Sequence, residues 1–204
     1  MELLHLDKRD GYIYDPVIKG YDTNFWSSIV GTPTVSGTAL TKVLQFNSQS
    51  AASYLLHCFV DIEFGLTVPV APTAGHSRQW GLIAPAQLNQ GGAAVTGALY
   101  FDITGTAFTF KVVDNLGNVL SKTLTWAAGY TNTFTRFRIR WESDRIQVLI
   151  NDVVVATVDE MNLTDSATIV QGIPKNSLPI YINNGVADNE LLSYIQVRRA
   201  AAIV

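Results

Sequence analysis

The sequence predicts an all-β protein folded as an antiparallel jelly-roll sandwich, and three observations carry this prediction. Apolar and polar residues alternate with a period of two in many short segments, the pattern of strands that bury one face. Turn-forming residues separate these segments, as in the Asp-Asn-Leu-Gly-Asn run at 114–118. No segment keeps a helical period over three turns. Short, regularly spaced strands are typical of sandwiches and jelly rolls.

The strands are placed from this alternation. Residues 56–64 put apolar side chains on one face and mostly polar ones on the other. Residues 136–141 alternate three arginines with two apolar residues and Trp141, so Trp141 is predicted to be buried. Residues 146–151 repeat the pattern. The same reasoning predicts strands at 40–46, 79–84, 97–103, 106–113, 119–126, 153–158, 178–183 and 191–198.

The chain is divided into a sandwich and two flanking segments. Residues 1–24 are predicted to form an extended N-terminal arm, laid over the sandwich or over a neighbouring subunit, because a charged stretch is followed by an extended one with a proline break. A first edge strand of the same domain is the alternative. The sandwich domain covers 25–199, and residues 200–204 form a C-terminal tail.

Composition and charge narrow the classes of function. The 204 residues are 48% hydrophobic and 15% charged, with a formal net charge of −3, so the chain is not expected to be disordered. Since there is no Lys/Arg-rich run, nucleic acid is not an expected partner. No run approaches the ~18 apolar residues of a bilayer span, so a membrane is not expected either. The N-terminus lacks the pattern of a secretory signal, which favours synthesis in the cytoplasm.

Cysteine and histidine predict no reactive or metal site. Cys58 is the single cysteine, so an intrachain disulfide is excluded, and its position predicts a small core residue. The histidines, His5, His57 and His76, lie too far apart in the sequence for metal-ligand spacing. We therefore expect no metal and no cofactor.

The C-terminal half carries a family resemblance. Residues 134–142 and 144–156 resemble the hairpin of concanavalin A-like lectin/glucanase sandwiches, in which a strand ending in Trp meets a strand ending in an Asp-Gly-like turn. Residues 179–184 and 192–197 resemble the closing strands of that fold. The resemblance covers roughly 25–199 and implies a laminarinase-like, two-layer jelly roll.

That family includes glycoside hydrolases, and the resemblance implies where their acids should lie. The laminarinase branch carries Glu-x-Asp-x-(x)-Glu on one strand, so that the carboxylates share a face. In this chain Asp61 and Glu63 fit the pattern, but Phe59 occupies the nucleophile position. By order along the chain, the catalytic strand is 97–103, which offers only Asp102. The sequence therefore predicts no catalytic residue and no enzyme, with a β-glucan hydrolase using Asp61 and Glu63 as a remote alternative.

Carbohydrate binding is predicted at aromatic residues and one acid. In lectins of this fold aromatic rings stack on sugar rings, so the resemblance implies such a role for side chains lining one sheet. The predicted residues are Trp80, Tyr100, Asp102, Trp126 and Tyr130. Packing inside the sandwich is the alternative role for the large aromatics.

Assembly contacts are predicted at two places. Tyr12 and Tyr14 lie in the arm. Arg136, Arg138 and Arg140 form a basic stripe about 14 Å long on one strand face, suited to carboxylates of a partner subunit. The alternative for the arginines is a solvated sheet face, paired across strands with Asp or Glu.

The leading functional hypothesis is a non-catalytic structural protein of a phage particle, capsid-decorating or tail-associated. It rests on a lectin-like sandwich without its acids, an N-terminal arm and the lack of an export signal. This hypothesis predicts self-association or contact with a major capsid protein, and location in a virion made in the host cytoplasm. The alternative is a carbohydrate-binding module or lectin with glycan partners.

Overall fold

The computed structural model describes most of the chain from residue 59 onward and isolated strands before it. The described residues are 12–14, 26–30, 34–36, 43–46, 49–56, 59–83, 96–176, 178–184 and 190–199. Cys58, His5 and His57, most of the predicted arm and the predicted tail lie outside them.

The described residues are nearly all in strands. In chain order the strands are β1 (Tyr12–Tyr14), β2 (Trp26–Val30), β3 (Thr34–Ser36), β4 (Val43–Phe46), β5 (Gln49–Leu56), β6 (Val60–Thr67), β7 (Ser77–Ile83), β8 (Ala98–Thr104), β9 (Ala107–Val113), β10 (Val119–Thr123), β11 (Phe134–Trp141), β12 (Arg145–Ile150), β13 (Val153–Asp159), β14 (Leu178–Asn184) and β15 (Glu190–Arg199). A 3₁₀ turn spans Ala128–Tyr130, and a helix, α1, spans Leu163–Thr168.

The strands form two antiparallel sheets. Sheet I has the order β13-β12-β11-β6-β15-β4-β3, and β1 also pairs with β15. Sheet II has the order β10-β9-β8-β7-β14-β5-β2. The predicted all-β sandwich with jelly-roll connections is therefore confirmed. Within the described residues, no helix is long and apolar enough to cross a membrane.

The core lies between the inner faces of the two sheets. An aromatic cluster joins them, with Trp80 and Phe101 from sheet II stacked at 5.4 Å between ring centroids. Phe137 of sheet I meets the Trp80 ring edge-on at 4.9 Å. Trp141 is fully buried in the same core, as its alternation with the arginines predicted.

The structure departs from the predicted elements in two ways: one predicted strand is divided, and β2, β3, most of β5 and helix α1 were not predicted. Residues 56–64 were predicted as one strand, but β5 ends at Leu56 in sheet II and β6 begins at Val60 in sheet I. Phe59 lies between them with a φ of 69°, a left-handed conformation that ends extended pairing. Helix α1 was not predicted, since its six residues are too short to show a helical period; Asn162 caps it by accepting from the Thr164 and Asp165 N–H groups.

Part of the predicted arm belongs to the sandwich. Residues 12–14 form β1, whose Tyr12 lies opposite Val197 and whose Tyr14 lies opposite Ile195. The backbone of this segment therefore extends sheet I. The domain boundaries at 24 and 199 stay predictions.

Candidate functional site

The outer face of sheet II carries a row of polar side chains across four neighbouring strands. Asn183 on β14 lies opposite Gln79 on β7, which lies opposite Asp102 on β8, and Thr109 on β9 completes the row. Gln79 Nε2 donates to Asp102 Oδ1 at 2.8 Å, and Asn183 Nδ2 donates to Gln79 Oε1 at 3.4 Å. With neighbouring strands ~4.8 Å apart, the row is about 14 Å long.

Asp102 is the charged centre of this row. Its side chain is only 3% exposed, and its second oxygen forms an ion pair with Lys111 Nζ at 2.9 Å. Thr104 Oγ1 donates to the same oxygen at 3.0 Å. The Lys111 side chain is 27% exposed, so Lys111 is the more accessible member of the pair.

A second row, one step along the strands, carries two tyrosines. Tyr181 lies opposite Gly81, Gly81 lies opposite Tyr100, and Tyr100 lies opposite Lys111. Burial raises the pKa of both phenols to about 12, and for Tyr100 the negative charge of Asp102 adds to the effect. Both tyrosines are therefore neutral hydrogen-bond donors at physiological pH.

A third row is apolar and completes a gradient across the face. Ile83, Ala98 and Val113 lie opposite one another, and with the two tyrosines they form a small buried cluster separate from the main core. The face thus passes from polar through aromatic to apolar side chains over three rows. Aromatic rings and hydrogen-bonding groups therefore lie side by side on this face, with Tyr100, Tyr181 and Asp102 largely covered by their neighbours.

Of the five residues predicted to bind carbohydrate, the structure brings two together. Tyr100 and Asp102 share the outer face of sheet II, two residues apart on β8. The prediction for Trp80 is corrected: it points into the core with no exposed surface, because it has the parity of Leu82 and the opposite parity to Gln79.

Trp126 and Tyr130 lie elsewhere. Trp126 packs edge-on against Phe108 at 5.2 Å and donates its Nε1–H to Thr131 Oγ1 at 3.0 Å. Tyr130 packs against Trp126 at 5.7 Å. Both are partly buried against the main core, which is the packing role weighed as the alternative.

The residues that sequence reasoning missed are Gln79, Lys111, Tyr181 and Asn183. Each lies on a predicted strand at a position alternating with core residues, so parity alone identifies them as outward-facing. Parity does not say which strands are neighbours, so the row they form was not predictable from it.

Asp61 and Glu63 lie on the other side of the molecule, on the outer face of sheet I. Arg138 Nε donates to Asp61 at 2.6 Å, and its guanidinium forms a second contact with the same carboxylate. Tyr194 Oη donates to Glu63. The core separates these acids from Asp102, so they cannot flank one glycosidic bond together with it.

The three arginines have partners within the chain. Arg136 pairs with Asp152, Arg138 with Asp61, and Arg140 Nη1 donates to Gln147 Oε1 at 2.9 Å. The pKa of Arg138 is raised, chiefly by its hydrogen bond to Asp61. Cross-strand pairing, the alternative interpretation, therefore describes this face. Contacts of these arginines, or of Tyr12 and Tyr14, with a partner stay predictions.

The described outer face of sheet II holds one carboxylate. Retaining glycoside hydrolysis needs two carboxyl groups about 5–5.5 Å apart, and no described residue of β7–β10 or β14 places a second one beside Asp102 on this face. Among the described residues, no three His, Cys, Asp or Glu side chains are grouped to hold a metal ion.

Comparison with known proteins identifies the fold. No protein-family model and no curated protein sequence matches the chain. The β-glucanase of Bacillus licheniformis superposes with a TM-score of 0.65 and 13% identity, covering 92% of this chain and 97% of that one. The endo-1,3-β-glucanase (laminarinase) catalytic domain of Thermotoga petrophila RKU-1 superposes with a TM-score of 0.66 and 11% identity. The match covers 94% of this chain and 97% of that one. The Emp47p carbohydrate recognition domain superposes with a TM-score of 0.59 and 13% identity. The match covers 93% of this chain and 96% of that one.

These similarities confirm the predicted concanavalin A-like lectin/glucanase sandwich. They also overturn the prediction that the chain is not an enzyme. The two glucanases share this architecture over nearly the whole chain, so the loss of one sequence motif is not a ground for excluding catalysis. The similar structures are glucanases and a carbohydrate recognition domain, and they lend no support to a capsid or tail role.

Proposed function

We propose that this concanavalin A-like sandwich binds a polysaccharide on the outer face of sheet II. The observation that carries the proposal is the pair of rows in register across the sheet, one with the polar chain Asn183–Gln79–Asp102 and one with Tyr100 and Tyr181. The resemblance to glucanases and to a carbohydrate recognition domain supports a glycan as the ligand.

The charges of the face favour an uncharged glycan. Asp102 and Lys111 neutralise each other at 2.9 Å, and the other polar members of the row are amides and a hydroxyl. Amides and neutral phenols exchange hydrogen bonds with sugar hydroxyls without a charged partner on the ligand. Because the pair of Asp102 and Lys111 has no net charge, the described part of the face offers an acidic polysaccharide no excess positive charge.

The row length favours a chain over a single sugar. A row about 14 Å long across four strands exceeds what one monosaccharide ring spans, so several rings contact the face together. We therefore expect affinity to rise with oligosaccharide length until the row is covered.

Isothermal titration with neutral β-glucan oligosaccharides of increasing length tests the proposal. Asp102→Asn keeps the shape of the side chain but removes the negative charge that pairs with Lys111, and we expect about a tenfold weaker affinity. Asp144→Asn is the matched control, since Asp144 is exposed in the turn between β11 and β12, and it should bind as the wild type does. Equal affinity of both variants, or no binding by the wild type, would contradict the proposal.

Hydrolysis of the bound chain is the second candidate function. The similarity to two glucanases favours it, and Asp102 lies on the strand that the sequence order assigned to the catalytic acids. Release of reducing ends from laminarin or mixed-linkage glucan measures it. We expect any such activity to be lost in Asp102→Asn and kept in Asp61→Asn; the reverse pattern would place the chemistry on sheet I.

The role in a phage particle, with capsid contacts and a virion location, stays a prediction from the sequence. Co-sedimentation with isolated particles tests it. A protein that never co-sediments with any capsid or tail would contradict it.

A further inference from the structure

The outer face of sheet I carries one row in which a single carboxylate lies between two arginines. Arg198 of β15 lies opposite Asp61 of β6, and Asp61 lies opposite Arg140 of β11. Gln147 of β12 continues the row. Core residues precede or follow each of the four along its strand, so all four side chains face outward. With neighbouring strands ~4.8 Å apart, the Cα atoms of the two arginines are about 10 Å apart.

The carboxylate of Asp61 is already bound by a third arginine. Arg138 Nε donates to Asp61 Oδ1 at 2.6 Å, and the Arg138 guanidinium also contacts Oδ2. Arg140 Nε lies 3.6 Å from the same carboxylate, which is too long for a hydrogen bond. Because Arg138 holds both oxygens of Asp61, the charge of Arg140 is only partly balanced.

The two arginines of the row make their hydrogen bonds to neutral groups. Arg140 Nη1 donates to Gln147 Oε1 at 2.9 Å, and Arg198 Nη2 donates to Gln196 Oε1. An amide oxygen accepts a hydrogen bond but carries no net charge. Since each guanidinium has five N–H donors, most donors of both arginines have no acceptor among the described residues.

This part of the surface exposes its positive charges and covers its negative ones. The Arg140 side chain is 30% exposed and Arg198 is exposed, whereas Asp61 and Glu63 are buried. The three guanidiniums around Asp61 also outnumber these two carboxylates. An incoming ligand therefore meets cationic hydrogen-bond donors first, an arrangement that suits an anion.

We propose that Arg140 and Arg198 together bind a phosphate or sulfate group above Asp61. They lie on either side of Asp61, and a guanidinium presents its N–H donors in a fork that matches these oxyanions. A tetrahedral oxyanion directs its oxygens to several sides at once, so one group can accept from both arginines. The site lies across the core from the outer face of sheet II, so this proposal is independent of glycan binding there.

Isothermal titration with inorganic phosphate and with inorganic sulfate, in Hepes buffer of low ionic strength, tests the proposal. Low ionic strength is needed because salt screens exposed charges. Arg198→Gln removes one guanidinium and leaves the pair of Asp61 and Arg138 intact. We expect the dissociation constant for the anion to rise about tenfold or more. Arg140→Gln, which leaves Arg198 in place, should give the same rise and serves as a second variant.

Arg136→Gln is the matched control. Arg136 lies on the same strand and the same face as Arg140, but its charge is paired with Asp152. The substitution lowers the net charge by the same amount as Arg198→Gln does. It should therefore bind both anions as the wild type does.

The two outcomes differ in which arginine matters. Binding that Arg198→Gln weakens and Arg136→Gln does not supports the proposal, and the anion that binds more tightly identifies the group. A wild type that binds neither anion overturns it. Equal weakening by both variants also overturns it, because binding then follows the net charge of the protein. An unchanged affinity in Arg198→Gln does the same, since the anion then lies elsewhere.

Discussion

Asp114 is a buried carboxylate that holds a hairpin and a distant loop together. Its Oδ1 accepts from the Leu116 and Asn118 N–H groups, and its Oδ2 accepts from Asn118 Nδ2 and from the Gln171 N–H. Burial works to raise the pKa of this carboxyl, but the hydrogen bonds outweigh it and the pKa is lowered. The folded protein therefore favours the ionised form.

This residue predicts a pH-dependent loss of stability. Asp114→Asn turns an acceptor into a donor facing donors, and we expect the free energy of unfolding at pH 7 to fall by about 1–3 kcal/mol. Because the folded pKa lies below the unfolded value of about 3.9, the wild-type advantage is full above that pH and is lost as the pH falls through the folded pKa. Urea unfolding of the wild type and of Asp114→Asn at several pH values measures this difference in the free energy of unfolding. Asp144→Asn is the control; a difference that stays constant with pH would argue against this role.

Asp61 is the centre of the ion-pair network on sheet I. Its carboxylate meets Arg138, and Arg140 Nε lies 3.6 Å away. Since the Asp61 side chain is almost fully covered, Asp61→Asn leaves Arg138 with Asp152, 3.6 Å away, as its remaining ion-pair partner and should lower the free energy of unfolding by about 3 kcal/mol.

The control for Asp61 is a surface pair on the same face. Asp152→Asn removes the ion-pair partner of Arg136 and a 3.6 Å contact with Arg138. Because the Arg136 and Asp152 side chains are well exposed, we expect the free energy of unfolding to fall by less than about 1 kcal/mol. Chemical denaturation at one fixed protein concentration measures the loss in free energy of unfolding for both variants. Equal effects of the two variants would mean that burial does not strengthen the Asp61 pair.

At the scale of the element, β7 depends on one glycine. Gly81 has a φ of 155°, and an added Cβ would lie 2.6 Å from the Cα of Tyr100 and 2.8 Å from its Cβ. The neighbouring backbone cannot yield at so short a distance. Gly81 therefore lets β7 and β8 approach each other where Tyr100 and Tyr181 flank it on the outer face of sheet II.

Replacing this glycine should disrupt the sheet. We expect Gly81→Ala to cost about 3 kcal/mol or more, through backbone strain and overlap. Gly129→Ala is the matched control, because an added Cβ there meets nothing within 4 Å, and it should change stability by less than about 1 kcal/mol. Thermal unfolding compares the stability of the two variants. A Gly81→Ala protein as stable as the wild type would show that β7 can shift to make room for the added Cβ.

At the scale of the whole molecule, the two sheets are joined by aromatic packing and by one ion pair at their edges. Phe137 of sheet I contacts Trp80 and Phe101 of sheet II at 4.9 and 5.4 Å. At the side of the sandwich, Lys122 of β10 binds Asp165 of α1 at 2.7 Å, and Asp165 also accepts from the Asp159 N–H of β13. Helix α1 thus ties the edge strand of one sheet to that of the other.

The joint between the sheets predicts a contrast between two phenylalanines of one strand. Phe137→Ala opens a cavity at the centre of the core and should lower the free energy of unfolding by about 3–5 kcal/mol. Phe134→Ala removes an exposed ring from the same strand and should cost about 1 kcal/mol. Guanidinium unfolding followed by tryptophan fluorescence measures both. Similar losses would mean that the core relaxes around the Phe137 cavity.

Much of the fold was predictable because strand parity is local. The alternation of residues 136–141 alone indicates that Trp141 is buried and that Arg138 faces outward, and both hold in the structure. The turn residues at 114–118 likewise marked the end of β9 and the beginning of β10. Parity failed near Phe59, which has a left-handed φ and lies where the chain passes from β5 of sheet II to β6 of sheet I.

The sequence by itself determined which residues of each strand face the core, since side chains alternate along any strand. Only the tertiary structure decided which outward-facing residues meet. Gln79 and Asn183 are 104 positions apart yet adjacent in the sheet, while Asp61 and Asp102 lie on opposite sides of the core. The reason is physical: the face of a side chain follows from its own backbone, but its neighbours across the sheet follow from the pairing of distant strands, which the packing of the whole core selects.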